Sequence, residues 1–206
     1  MPIGTLRKIR SDFDRRVQES FHWIREINNL AASSDAQIDR KHIYFAYEYA
    51  FLRIFTGWEK FVQGAFIGYI TAKRINGHRH KSYLKRISEK RALELLTGTK
   101  EYPDWSNFDD IFRLADLFFI DPEPFKQPFL QVQTAFLDIK KIRNAIVHMS
   151  SIAIKKYEGL LRANMPRARI DMTPGEFLST IKRDRETFWE YYISYMEAAA
   201  SRIIPI

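Results

Sequence analysis

Apolar residues recur along most of this chain at steps of three and four, which is the period of an amphipathic α-helix. No run of residues alternates between apolar and polar with a period of two, so no strand pattern competes with the helical one. The sequence therefore predicts an all-α fold in which residues 1–206 form one domain. The predicted helices run from about Thr5 to Ala31, Ala36 to Ile75, His80 to Leu96, Asn107 to Phe118, Gln127 or Pro128 to His148, Lys155 to Asn164, and Thr173 to Ser201.

Two local signals refine these helices. Thr173 and Glu176 stand three residues apart, and Pro174 follows the threonine, which is typical of a capping box with proline at the first helical position. In the second helix, Gly64 and Gly68 lie one turn apart, and the lack of side chains allows another helix to approach closely. That approach is either core packing within the chain or a contact between two copies.

One apolar helix carries an unusual polar group near its end. At about 100° per residue, Asn144 and His148 lie on the face away from its apolar stripe, and Arg143 lies on the flank between the two faces. A guanidinium, an amide and an imidazole therefore project from one side of a helix that is anchored by its other side. The stripe consists of Val132, Ala135, Ile139, Ile142, Ile146 and Met149.

These three residue types suit the cleavage of RNA without a metal ion. Imidazole titrates near neutral pH, so His148 can take or give a proton. Arg143 donates paired hydrogen bonds to phosphate oxygens, and Asn144 either orients His148 or holds a phosphate oxygen. One chain supplies one such histidine, so a two-fold dimer would bring together the two that proton transfer needs. In the structural alternative, Arg143 pairs with an acid on another helix and His148 caps a helix end.

The sequence Arg143-Asn144-x-x-x-His148 at the end of an apolar helix resembles the signature of the HEPN superfamily, and Trp58-Glu59-Lys60-Phe61 looks similar to the second helix of its stand-alone members. The resemblance implies an antiparallel helical bundle, here with extra short helices, that builds a composite cleft across a homodimer. It also implies metal-independent endoribonuclease activity that leaves a 2′,3′-cyclic phosphate. Such proteins commonly act as toxins in toxin–antitoxin or phage-defence systems, so the expected partners are RNA, a second copy and a cognate antitoxin protein.

Two alternatives accompany this resemblance. Some HEPN domains bind without cleaving, so the other function is that of a non-catalytic module for RNA or for a partner protein. Glu59 is an auxiliary candidate, because its carboxylate reaches Arg143 if the second helix and the motif helix pack together. The other interpretation of Glu59 is an exposed helix glutamate.

A basic segment follows the second helix. From Lys73 to Arg91 the chain holds eight basic residues and one acid, Glu89, within a chain of formal net charge +8. Such an excess favours contact with the phosphates of nucleic acid, although a solvated helix face is the alternative. The predicted RNA-binding residues are Lys73, Arg74, Arg79, Lys81, Lys85 and Arg86.

Composition narrows the remaining classes. The chain has no cysteine, which excludes disulfides and thiolate metal sites and fits a cytoplasmic protein. No apolar stretch approaches the roughly 20 residues of a membrane span, and the N-terminus has no signal-peptide pattern, so we expect no membrane partner. The phosphate loops of Walker and Rossmann type are missing, as is His-Glu-x-x-His. We therefore predict neither a cofactor nor a metal site.

Overall fold

The computed structural model describes residues 5–33, 38–71, 81–84, 87–97, 103–169 and 171–206. Within these residues the chain forms nine helices and one short antiparallel hairpin, which confirms the predicted all-α class. The HEPN-like form of the bundle stays a prediction. The elements are α1 (Leu6–Ala32), α2 (Arg40–Ile70), α3 (Glu89–Thr97), α4 (Phe108–Phe118), α5 (Glu123–Leu130), α6 (Gln133–His148), α7 (Ser151–Asn164), α8 (Pro174–Ser179), β1 (Ile181–Arg183), β2 (Glu186–Thr187) and α9 (Phe188–Ile203).

The chain divides into two compact units. The first unit contains Met1–Arg15, Thr56–Gln133 and Met196–Ile206, and the second contains Arg16–Phe55 and Thr134–Tyr195. The boundaries between them fall within α1, α2 and α9 and at the start of α6. One domain over residues 1–206 stays a prediction.

Aromatic side chains form the centre of the first unit. The ring centroid of Trp58 on α2 lies 5.8 Å from that of Phe13 on α1 and 5.7 Å from that of Phe129 on α5, and all three residues are buried. Large buried rings contribute strongly to the free energy of folding. A Cβ at Gly64 would lie 3.2 Å from Cγ2 of Ile9, so the glycine lets α1 approach α2. Gly64 therefore serves core packing within the chain.

In the second unit, a close backbone contact joins α2 to the start of α8. The N–H of Gly175 donates to Oε1 of Glu48 at 2.9 Å. A Cβ on Gly175 would lie 2.2 Å from the carbonyl oxygen of Tyr44, so only glycine permits this approach. The hydroxyl of Tyr157 on α7 donates to the carbonyl oxygen of Thr173 at 3.0 Å, just before α8. These bonds fix α2, α7 and α8 to one another.

The motif helix α6 begins at Gln133, so the predicted start at Gln127 or Pro128 is wrong. Both of those residues belong to the separate helix α5. The N–H of Val132 donates to the carbonyl oxygen of Phe129 at 3.1 Å, which closes a tight turn between the two helices. Apolar residues keep their helical spacing across this turn, so periodicity alone does not reveal the break.

The helix predicted from His80 to Leu96 begins only at Glu89, so its first part is wrong. Residues 81–84 are not helical, and Ser82 forms an isolated antiparallel bridge with Phe119. The N–H of Tyr83 donates to the carbonyl oxygen of Phe118 at the end of α4, and the carbonyl oxygen of Lys81 accepts from the N–H of Ile120, so these groups are satisfied without helical bonds. A partner so distant in the sequence cannot be predicted from the local spacing of apolar residues.

The helix predicted from Thr173 to Ser201 is also wrong in its middle, because the β1–β2 hairpin divides it into α8 and α9. Its predicted start is confirmed, since the N–H of Glu176 donates to Oγ1 of Thr173 at 3.2 Å. A second capping box then opens α9. The N–H of Glu190 donates to Oγ1 of Thr187 at 3.2 Å, and the N–H of Thr187 donates to Oε2 of Glu190 at 2.7 Å.

Candidate active site

The motif residues lie at the corner where α6 ends and α7 begins. His148 is the last residue of α6, and Met149 turns the chain with a φ of 45°. The side chain of Ser150 then caps α7 by accepting a hydrogen bond from the N–H of Ala153 at 3.3 Å. Ser150 provides the cap of α7, and the imidazole of His148 is left exposed at this corner.

Arg143, Asn144 and His148 are joined by hydrogen bonds in the structure. Nη1 of Arg143 donates to Oδ1 of Asn144 at 3.0 Å and lies 2.9 Å from Nε2 of His148. Asn144 therefore contacts Arg143 directly, and its two predicted roles, orienting His148 or holding a phosphate oxygen, stay predictions. The sequence grouped these three residues correctly, while the order of their contacts depends on side-chain rotamers that the spacing does not define.

The contact between Nη1 of Arg143 and Nε2 of His148 is a hydrogen bond in only one tautomer of the ring. A guanidinium has N–H donors only, so Nε2 must be the acceptor and the ring proton must be on Nδ1. The single lone pair of Nε2 then points to Arg143. For Nε2 to act as a general base, this N–H must first move away from it.

A buried ring supports the guanidinium of Arg143. Cζ of Arg143 lies 5.6 Å from the ring centroid of Phe55 on α2, and Phe55 is buried. A cation over an aromatic face is attracted to it, and contact with a fixed ring limits the orientations of a planar guanidinium. In the sequence Phe55 is one more apolar residue of α2, and no signal marks it as part of a site.

No carboxylate among the described residues forms an ion pair with Arg143. On α6 itself, the acid before Arg143 in the sequence is Asp138, and its carboxylate accepts from Nζ of Lys141 at 2.8 Å. The structural alternative, in which Arg143 pairs with an acid, therefore finds no support in the described part of the chain. The two N–H groups of Nη1 serve Asn144 and His148, which leaves the N–H groups of Nε and Nη2 for a ligand. That remaining pair has the geometry that binds two phosphate oxygens at once.

Of the other predicted site residues, the structure describes Glu59 and Lys81. Glu59 lies half-buried on α2 in the first unit, whereas Arg143 belongs to the second, and a role for Glu59 beside Arg143 stays a prediction. Lys81 is exposed, and its carbonyl oxygen accepts from the N–H of Ile120 at 2.9 Å. The predicted RNA-binding residues that lie outside the described residues are Lys73, Arg74, Arg79, Lys85 and Arg86.

Three further findings bear on the class of the protein. Over the described ranges, no three His, Asp or Glu side chains gather in a way that would hold a metal ion. The same ranges contain no helix that combines the length and the apolar character of a bilayer span. The chain has no significant match among family models, curated proteins or solved structures.

Proposed function

We propose that this protein is a metal-independent RNA endonuclease of the HEPN type, with Arg143, Asn144 and His148 as its catalytic residues. One observation carries the proposal. Nη1 of Arg143 binds both Asn144 and His148 at an exposed helix end, while the other side of the guanidinium has no carboxylate partner among the described residues. A positioned cation beside an unprotonated imidazole nitrogen is the equipment that phosphodiester cleavage by a 2′-hydroxyl requires.

The reaction uses these groups in a defined order. As RNA binds, the N–H of Arg143 Nη1 moves away from Nε2 of His148; the freed lone pair of Nε2 takes the proton of the 2′-hydroxyl, and the 2′-oxygen attacks the adjacent phosphorus. The N–H groups of Nε and Nη2 of Arg143 bind the phosphate oxygens as negative charge builds up on them. The bond from phosphorus to the 5′-oxygen then breaks, and a protonated imidazole donates its proton to that oxygen. The products are a 2′,3′-cyclic phosphate and a 5′-hydroxyl.

A homodimer would supply one histidine for each of the two proton transfers, because each chain has one motif histidine. In this arrangement His148 of one copy acts as the base and His148 of the other acts as the acid. Apolar side chains beside the motif support such a contact. Val147, Met149 and Ile152 are 48%, 73% and 69% exposed, and they surround the corner that carries His148. A second copy placed over this corner would cover them.

The proposal extends to biological role and substrate. The protein would act in the cytoplasm as the toxin of a toxin–antitoxin or phage-defence system, with a cognate antitoxin protein as its partner. The basic segment from Lys73 to Arg91 would attract RNA through sequence-independent contacts to phosphate. Arg143 and His148 would then cleave the strand that this segment holds.

The test is cleavage of RNA by the purified protein in excess EDTA. We expect cleavage to persist, and to fall at least about 100-fold in Arg143→Ala and in His148→Ala. Arg162→Ala and His42→Ala are matched controls, since both residues lie on exposed helix surfaces away from the motif, and both variants should cleave like the wild type. If RNA is bound but never cleaved, the protein is a non-catalytic RNA-binding module and not a nuclease.

A further inference from the structure

A cleft separate from the motif residues opens in the second unit. Its volume is about 430 Å³, and its walls come from α1, α2, the β1–β2 hairpin and the start of α9. Clefts that bind small molecules typically measure about 300–1,000 Å³ and combine an apolar wall with a few polar groups. Neither Arg143 nor His148 lines this cleft. The proposed RNA cleavage therefore gives it no role.

Aromatic rings form one wall of the cleft. Trp189 is 1% exposed, and its ring centroid lies 4.5 Å from that of Phe21 and 6.0 Å from that of Tyr47. Trp189 and Tyr47 are buried, and Phe21 is half-buried, so Phe21 is the ring that offers surface to a ligand. The three rings pack on one another, which gives the cleft a rigid apolar wall.

Polar groups beside these rings provide both donors and acceptors. Nδ2 of Asn28 donates to the hydroxyl of Tyr47 at 3.0 Å, and the hydroxyl hydrogen of Tyr47 meets no acceptor among the described residues. Burial raises the pKa of Tyr47, and the nearby Glu190 raises it further, so this hydroxyl keeps its proton at neutral pH. Oε2 of Glu190 is bound by Thr187, and Oε1 of Glu190 remains as an acceptor.

Two arginines supply positive charge at the cleft. Arg25 on α1 and Arg185 in the hairpin turn both line it, and both are exposed. Neither forms an ion pair with a carboxylate in the part of the chain that the structure describes. Two guanidiniums without acidic partners, beside one engaged glutamate, favour a ligand that brings its own negative charge.

The backbone at Arg185 gives independent support. Asp184 and Arg185 connect β1 to β2 with φ angles of 44° and 69°, so both central residues of this two-residue turn are left-handed. Such a turn favours Asp-Gly, and a long side chain at its second position is strained. Strained residues cluster at functional sites, and here the strained residue is the one that extends a guanidinium to the cleft.

We propose that this cleft binds a nucleoside monophosphate unit, with the phosphate held by Arg25 and Arg185 and the base against Phe21. A simple anion would use the arginines alone and leave the apolar wall and the amide groups empty. A planar base uses the ring surface, and its edge offers both donors and acceptors to Asn28 and Glu190. The unit is either a free mononucleotide or one nucleotide of an RNA strand.

The proposal is tested by titrating the full chain with AMP, GMP, CMP and UMP in a calorimeter. We expect at least one monophosphate to bind and its nucleoside to bind at least about tenfold more weakly, because the charged hydrogen bonds are lost. Arg25→Gln and Arg185→Gly should each weaken binding of the monophosphate about tenfold. Arg183→Gln is the matched control, since it removes one charge from the same hairpin at a position that does not line the cleft.

Arg185→Gly also separates binding from folding. Glycine relieves the left-handed backbone at this position, so the melting temperature should stay equal to that of the wild type or rise while binding weakens. A hexanucleotide that binds more tightly than the mononucleotide, with the same dependence on Arg185, would identify an RNA strand as the source. Tighter binding of the mononucleotide would identify a free nucleotide. No saturation by any of the four monophosphates at roughly millimolar concentration, or unchanged binding in both arginine variants, would overturn the proposal.

Discussion

The guanidinium of Arg143 has three neighbours of different kinds: the amide of Asn144, the imidazole of His148 and the ring of Phe55. The amide and the imidazole take the two N–H groups of Nη1, and the ring supports the plane of the group. The side that carries Nε and Nη2 is therefore the side that the proposed site leaves for a phosphate. In the proposed site, the role of Asn144 is to accept a hydrogen bond from Arg143.

This role predicts different outcomes for two substitutions of Asn144. Asn144→Gln keeps a neutral amide acceptor for Nη1 of Arg143, so kcat/KM for RNA cleavage should stay within a few-fold of the wild type. Asn144→Leu has a similar size but no acceptor, and we expect kcat/KM to fall about tenfold or more. Steady-state kinetics on one RNA substrate would measure both. An Asn144→Leu variant as active as the wild type would show that the hydrogen bond has no part in catalysis.

The N-terminal half of α2, which carries Phe55, is anchored by the contact of Glu48 with Gly175 at the start of α8. Burial raises the pKa of Glu48, and the N–H of Gly175 lowers it by a smaller amount. The folded state therefore holds this proton to a higher pH than the unfolded state does. It follows that the contribution of Glu48 to stability decreases as the pH rises from the ordinary value of 4.5 through the folded pKa.

Glu48→Gln tests this anchor. The amide oxygen keeps an acceptor for the N–H of Gly175 and does not titrate. As the pH rises from 4.5 to neutral, we expect the melting temperature of the variant to increase relative to that of the wild type. Thermal melts of both proteins across this range would measure the difference. Two parallel curves would mean that Glu48 does not titrate differently in the folded state.

Elements with strong local signals could be predicted from the sequence, and elements formed by distant partners could not. The period of α1 and the capping box at Thr173 located helix boundaries within one or two residues. The bridge between Ser82 and Phe119 and the hairpin before α9 depend on pairing that a helical period conceals. The spacing of Arg143 and His148 predicted their grouping, whereas the support from Phe55 depends on tertiary packing.

At the scale of the whole molecule, the exposed apolar residues at the α6–α7 corner bear on whether the protein forms a dimer. Val147, Met149 and Ile152 are exposed close together, and clustered exposed apolar side chains often mark a contact surface. In the proposed dimer they lie in the interface, and the two copies of His148 meet across it. The active species would then be the dimer alone.

A Met149→Asp, Ile152→Asp double variant tests the dimer. Aspartate tolerates the left-handed backbone of position 149 better than methionine does, so the fold should be retained. We expect the variant to be a monomer in sedimentation experiments at micromolar concentration, and its cleavage of RNA to fall at least about 100-fold. Ile206→Asp, which changes an equally exposed residue at the C-terminal end, should leave both properties unchanged. A monomer with full activity would contradict the composite site.

The chemistry of the cleaved ends tests the central claim most directly. RNA incubated with the wild-type protein in excess EDTA should give fragments with 2′,3′-cyclic phosphate and 5′-hydroxyl ends, identified by mass spectrometry, because the 2′-oxygen is the nucleophile. These ends should not form above background with His148→Ala, in which the base is missing. Fragments with 3′-hydroxyl and 5′-phosphate ends, or cyclic phosphates formed equally by His148→Ala, would contradict the assignment of Arg143 and His148 as catalytic residues.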